Sequence, residues 1–599
     1  MNTLYRNGKI YTVDGAGWET RPADAMLVSQ EGIIIAVGEN SGGQGHSGDG
    51  SGHSGDGSLG HSGDGSFCVP NGTQKEPSPL CPNVVDLGGK TVLPGFTDTH
   101  VHMPGSAITE LFLIDLSGAR TLEETLAKVK TFAENHPDEE FYFGSGFYMS
   151  IAGGLPEGPR KEWLDSVIPD RPVVLDSSDG HSYWLNSKAL EVCGIDENTT
   201  RPKGGRIHLD ARTGKPSGTI TDAGYLVRLK PKLTAGQQRD ALLRFQKNMI
   251  GWGYTSLMCI APHMCGTGAL RETNKSGEWL MRVNLSSIAE PDPTGKFMTG
   301  GEIARSALAE ADRMRAEFAP FPLVRVSTVK FFADGVVEGR TAWLREPYAQ
   351  TEPGQPADFR GEPLWPDSEL ADAFAEITGA GYQIHVHSVG DAATAQVINA
   401  LRGARARVGS PSGNRDVLTH LQIVLPCDTE DMKELGIIAS HQPFWHFKEP
   451  NWYEEIDLAL LGRERAEAAY PVGSALRSGV RVTFSGDHPV SPTNNPFWAI
   501  QNAVTRNIND AGQYGVEPVT DQDDEKWLRG KGERISIAEA IEAYTINGAW
   551  QLFRENETGS LVTGKLADFI VLDKDPFGIP PMFLYSIKPV ATFIGGKRV

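Results

Sequence analysis

From residue 234 onward the chain alternates short apolar, β-branched runs with longer stretches whose apolar residues recur every three or four positions. This rhythm limits the fold more than any other feature, because parallel strands need long crossovers and a helix after each strand supplies them. Candidate strands stand at 254–260, 282–288, 323–332, 382–387, 416–421, 436–441 and 480–485, with helical patterns at 237–250, 367–380 and 392–408. One more apolar run, KTVLPGFTDTHVHMP at 90–104, brings the strand count to the eight of a closed (β/α)8 TIM barrel. A closing helix is expected over 536–553, opened by a capping box of Ser536 and Glu539. The expected class is therefore α/β.

The rest of the 599 residues must sit around that barrel. Residues 1–40 hold short β-rich runs punctuated by Asn-Gly and Glu-Gly turns, and 567–572 and 590–594 have the same character. An open sheet edge needs cover, so the two ends are expected to share one split β domain. The division expected is an N-terminal β part at 1–91, a barrel at 92–561 with an inserted subdomain at about 141–233, and a C-terminal β part at 562–599. Ahead of the insertion, 121–135 reads as a helix with Thr121 and Glu124 as its capping box. A low-complexity tract at about 41–82 repeats HSGDG three times and has 11 Gly in the 26 residues 41–66, too little apolar surface for a core. His46, His53 and His61 with Asp49, Asp56 and Asp64 could chelate a cation there, but a flexible Gly/Ser-rich loop is the simpler reading.

Several functions are excluded or disfavoured by composition. A net charge of -20 without basic clusters argues against binding nucleic acid through its phosphates. No apolar run reaches the roughly 18 residues of a membrane helix, and the N-terminus lacks a basic start followed by an apolar core, so a cytoplasmic location is the expectation. The six cysteines include no C-x-x-C pair, which leaves reduced, buried thiols rather than a disulfide or thiolate-zinc framework.

A barrel carries its chemistry at the C-terminal ends of its strands. There the sequence places His100 and His102, two residues apart and so on one face of the first strand, then Lys330 in VSTVKFFADG, His387 in IHVHSVGD, His420 in VLTHLQ and Asp487 in VTFSGDHP. A lone His-x-His is weak evidence, but four imidazoles, a carboxylate and a lysine converging on one mouth suit a divalent metal. Zinc fits best, with manganese, iron or nickel also allowed. A protonated lysine repels cations, so Lys330 is either unrelated to the site or held neutral by burial and carboxylated by carbon dioxide, its carbamate bridging two ions. Three other histidines compete: His385, which shares a face with His387 and is expected one layer down, and His441 and His488 near strand ends.

The blocks LPGFTDTHVH, RPVVLDSSDGHSYWLNSKAL, VKFFADG, HVHSVGDAA, THLQIV, SHQPFW, SGDHPV, AYTINGAWQLF and GSLVTGKLADFIVLD occur in an order that resembles the amidohydrolase superfamily. Within it they are most similar to the family 3 branch that includes N-substituted formamide deformylases. The resemblance implies a composite β-sandwich from both termini around a metal-dependent barrel. It implies His100, His102, a carboxylated Lys330, His387, His420 and Asp487 as ligands for one or two ions, with Asp487 also as proton shuttle and His181 near substrate. The chain departs from the pattern at Thr419, where a carboxylate is usual, at Ser485-Gly486-Asp487 in place of Gly-Ser-Asp, and in the HSGDG tract.

The activity implied is hydrolysis of a non-peptide, amide-like C-N bond of a small molecule, an N-substituted formamide or an N-acyl amine, by a metal-activated water. No G-x-S-x-G nucleophile elbow is present. A deaminase or esterase uses the same scaffold, and a catalytically silent barrel acting in protein interaction is the reading from another class; the filled ligand positions disfavour it. Tyr148, Tyr183, Trp184, Phe444, Trp445 and Phe497 fall where they could roof the mouth and favour an apolar substituent. A homodimer is the oligomer that the resemblance suggests.

Overall fold

The computed structural model describes residues 1–39, 82–200, 202, 205–260, 262, 266–291, 299–351, 355–409, 414–491 and 493–599. The HSGDG tract, with its histidines and aspartates and with Cys68 and Cys81, lies outside the described residues, as does Cys265.

Eight parallel strands form the central barrel: β1 (Phe96–Val101), β2 (Tyr254–Cys259), β3 (Arg282–Ala289), β4 (Val324–Phe332), β5 (Gln383–Ser388), β6 (Val417–His420), β7 (Ile438–His441) and β8 (Val482–Phe484), each paired with the next. They fall within a few residues of the eight expected runs. Between β8 and β1 the barrel is closed by other bonds. The Thr99 hydroxyl donates to the Phe484 carbonyl at 2.9 Å. Above the strand ends, the Asp487 N–H donates to His100 O at 3.1 Å and the His102 N–H to His488 O at 3.0 Å. The seam thus draws Asp487 toward the His-x-His pair through main-chain bonds.

The crossover helices are built as their sequences predict. Ala235–Gly251 starts at Thr234, whose side chain accepts from Gln237 N, and buries Leu242, Phe245 and Met249 on one stripe. Asp367–Gly379 and Asp391–Val408 bury Phe374 and Ile377, and Val397 and Leu401. The closing helix is broken in two, Ile537–Tyr544 and Ile546–Gln551, with Thr545 between them at φ -117°, ψ -95°. Thr545 donates its hydroxyl back to Ile541 O at 2.6 Å, a local bond that competes with the helical ladder. The second segment packs under the barrel through Gly548, where a Cβ would sit 2.8 Å from that of Thr97. Its last residue, Gln551, is fully buried; it donates to Thr99 O at 3.0 Å and accepts from the Thr483 hydroxyl at 2.7 Å, pinning β1 to β8 from below.

Between β1 and β2 a second, six-stranded sheet is inserted, ordered Arg206–Leu209, Pro216–Thr221, Ser182–Leu185, Val173–Ser177, Tyr142–Phe147, Ile114–Asp115. The helix Leu122–Asn135, capped by Thr121 and Glu124 as expected, packs Val129 and Ala133 against Tyr142 and Phe147 of this sheet. The two chain ends share a third sheet, in which Thr91–Pro94 joins Thr3–Ile10 on one side and Phe569–Leu572 on the other. Arg282 of β3 and Asp568 of that sheet form a buried ion pair at 3.2 Å, fixing the terminal sheet to the barrel.

Candidate metal centre

His100 and His102 leave β1 on the same face, as the alternation of a strand requires. Each Nε2 lies 3.3 Å from Asp487 Oδ1, and the three donor atoms are within 4.8 Å of one another. His100 Nε2 and Asp487 Oδ1 are buried with no hydrogen-bond partner. Two donors about 2.1 Å from one tetrahedral ion stand about 3.4 Å apart, so the spacing and the orphaned atoms fit a shared cation. Burial, reinforced by the nearby Lys330, pushes the His100 imidazole well below its usual pKa, keeping it a neutral lone-pair donor.

Behind this group lies a supporting layer, of which the sequence reading identified His385 but not Asp98. Asp98, on the same strand, accepts from His100 N at 3.1 Å and from Gly486 N at 3.0 Å, tying the His-x-His strand to the Asp487 loop; burial raises its carboxyl to about 7. His385 Nε2 is 2.8 Å from His100 Nδ1, so this histidine sits one layer down, as expected, and orients a candidate ligand. A carboxylate inside the strand FTDTHV, two residues before His100 and so on its face, was the available signal for Asp98.

His420 and His387 flank the group. His420 Nδ1 is 3.0 Å from Gln442 Oε1, and Gln442 Nε2 donates to the Thr419 and Ser485 hydroxyls at 3.1 and 2.7 Å. The amide's orientation therefore makes Nδ1 of His420 the protonated atom and leaves Nε2 its lone pair. His387 Nε2 donates to Gly335 O at 3.0 Å, which frees Nδ1, and its ring lies 4.4 Å from that of His420. His420 Nδ1 is also 3.8 Å from Asp487 Oδ2. Lys330 is buried on β4 in register with His385, its Nζ 4.7 Å from the Phe332 ring centre. Burial lowers its pKa to about 7, against the pull of Asp487 and Glu290.

The inserted sheet brings His181 to the same cavity, its ring 5.3 Å from that of His387. His181 Nδ1 lies 2.5 Å from Asp222 Oδ1, and Asp222 also accepts the Thr341 hydroxyl. Burial opposes a charged imidazole here, but Asp222 outweighs it and holds the pKa at about 10. The cavity above the donors measures about 950 Å³ including its open mouth. Of the six aromatics expected at the roof, Tyr148, Phe444 and Trp445 line it. Trp184 is buried against Phe147 in the insert's core, Phe497 against Phe96, and the Tyr183 hydroxyl receives Lys230 Nζ at 2.7 Å. His441 packs beside His446 and His488 Nε2 accepts from Ser106 N; neither lines the cavity.

Residues 83–599 match the model of the amidohydrolase family. The chain belongs to that family. This amidohydrolase is 28% identical over 517 residues to the putative amidohydrolase YtcJ of Bacillus subtilis, covering 86% of the present chain and 90% of YtcJ. It is 27% identical over 524 residues to the N-substituted formamide deformylase of Arthrobacter pascens, covering 86% and 89% of the two chains. Among solved structures, an uncharacterized metal-dependent hydrolase of Pyrococcus horikoshii superposes with a TM-score of 0.63 at 20% identity, over 97% of this chain and 99% of that one, and so shares the fold.

Proposed function

We infer that this amidohydrolase cleaves an amide-like C-N bond in a small molecule, an N-substituted formamide or N-acyl amine, using one or two divalent ions, zinc first among them. The observation that carries the reading is the convergence of His100, His102 and Asp487 on one point, with two buried donor atoms lacking any other partner. A cation held there supplies the Lewis acidity that polarises a carbonyl and makes water acidic enough to attack near neutral pH. Asp487, with Oδ1 turned to the histidines, has Oδ2 left to take the water's proton and return it to the leaving nitrogen. His181, held charged by Asp222, reaches into the cavity as a donor to a substrate oxygen. Lys330 supports a second ion in this reading: at a pKa of about 7 a substantial share of the amine is neutral near physiological pH and free to combine with carbon dioxide.

The test is formate and amine release from a panel of N-formyl and N-acyl amines, with metal content measured beside it. Asp487→Asn should cost at least about 100-fold in kcat; full activity in that variant removes the shuttle role. Lys330→Ala should lose activity that short-chain carboxylic acids partly restore, and wild type reconstituted without bicarbonate should recover less activity than with it. No loss on removing Lys330 would place it outside the chemistry.

A further inference from the structure

The cavity has a second polar end, and it sets what the rest of the substrate must be. Among the described residues its lining has no lysine or arginine but five carboxylates, Asp179, Glu338, Glu449, Asp457 and Asp487. Asp487 faces the histidines. Asp457 is paired by Arg529, and Glu449 lies 3.4 Å from Arg120 Nη1. Asp179 accepts from the Ser177 hydroxyl at 2.5 Å and from His181 N at 2.7 Å. Glu338 has no ion pair among the described residues. Its own backbone N–H meets the carboxylate, Asp179 and Asp457 repel it, and the attraction comes from His181, which Asp222 already holds. Glu338 is half-buried in the cavity wall, and a carboxylate there with no cation paired to it is a ready counter-ion for a bound one.

A second observation points to the same place. Tyr470, 7% exposed, reaches the cavity, and its hydroxyl has no hydrogen-bond partner among the described residues. Trp445 and Phe444 line the wall beside it. A carboxylate, a free phenol and aromatic rings together make an environment that suits a cation with an apolar stem.

We propose that this end of the cavity binds a positively charged nitrogen, so that the substrate is an N-formylated or N-acylated amine carrying a second, protonated amine, with Glu338 as its counter-ion and Tyr470 and Trp445 around it. The substrate class rests on the hydrolase reading above; the cation site does not. Burial and Asp179 push the Glu338 carboxyl well above the usual carboxylate range, and a bound ammonium favours its ionised form.

The probes are 4-(aminomethyl)benzyl alcohol and its neutral isostere 4-ethylbenzyl alcohol, neither with a bond to hydrolyse, titrated into the zinc-loaded full chain by calorimetry. The ammonium probe should bind at least about ten-fold tighter to wild type. Glu338→Gln should bring the ratio near one, whereas Glu338→Asp, which keeps the charge and serves where the glutamine variant does not fold, should retain a reduced preference. Equal binding of the two probes to wild type, or a ratio unchanged in both variants, overturns the proposal. Formate release from N-[4-(aminomethyl)benzyl]formamide and its 4-ethyl analogue separates the two readings. Release from neither, with the binding preference intact, removes the hydrolase reading and leaves the cation site standing. Equal kcat/KM for both formamides, with equal probe binding, removes the cation site alone.

Discussion

His420 and Asp487 leave their strands in the left-handed region, at φ 76° and φ 50°, a conformation that costs a non-glycine residue about 1–2 kcal/mol. Two of the six expected ligands thus sit in disfavoured backbone, held there by the bonds around them. Asparagine tolerates this region, so Asp487→Asn probes the chemistry with little disturbance of the backbone. The pairing of His181 with Asp222 has a pH signature. The folded pKa of about 10 lies above the unfolded value of 6.5, so the stabilisation is complete below about pH 6.5 and is lost as pH rises through about 10. Asp222→Asn should therefore lower Tm by about 2 °C more at pH 6 than at pH 10.5. Equal losses at both pH values would show that the carboxylate acts through Thr341 alone. The donors at the strand ends were legible because alternation and strand position are local properties. Asp222, Glu338 and the His100–His385 contact were not, because each partner comes from a distant part of the chain: His181 and Asp222 are 41 residues apart, and His100 and His385 are 285 apart.

At the scale of elements, the eight barrel strands were readable because each is a short β-branched run bounded by turns. The helix at 122–135 was readable as a helix, yet nothing in its periodicity says which sheet covers its stripe; it packs on the insert, where Tyr142 and Phe147 are. The break at Thr545 was hidden for a related reason, since an amphipathic pattern runs through it. That break turns Gln551 under the barrel. Replacing it by alanine leaves the Thr99 carbonyl and the Thr483 hydroxyl buried without their partner. Gln551→Ala should cost about 2–4 kcal/mol in denaturant unfolding. A loss under about 0.5 kcal/mol would mean that the seam is held from above, by the main-chain bonds at Asp487 and His102.

For the whole molecule, the terminal sheet was anticipated from the like character of the two chain ends, but its attachment was not. The Arg282–Asp568 pair is buried on both sides, so Asp568→Ala strands a guanidinium between sheet and barrel. That should cost about 3–5 kcal/mol and lower one shared unfolding transition. Two separate transitions in calorimetry, with the barrel's unmoved, would mean that the pair does not couple them. The described residues include no helix long and apolar enough to cross a membrane. The insert between β1 and β2 brings His181, Ser178, Asp179 and Tyr148 to the cavity, while β1, β4, β5, β6 and the loop after β8 carry the expected ligands. Part of the recognition surface is therefore written outside the barrel, and the rest in the loops after β4 and β7. Mutation can drift through the insert and change what the pocket admits while the barrel's register stays fixed, so a lineage with this architecture can acquire a new diet without relearning its reaction.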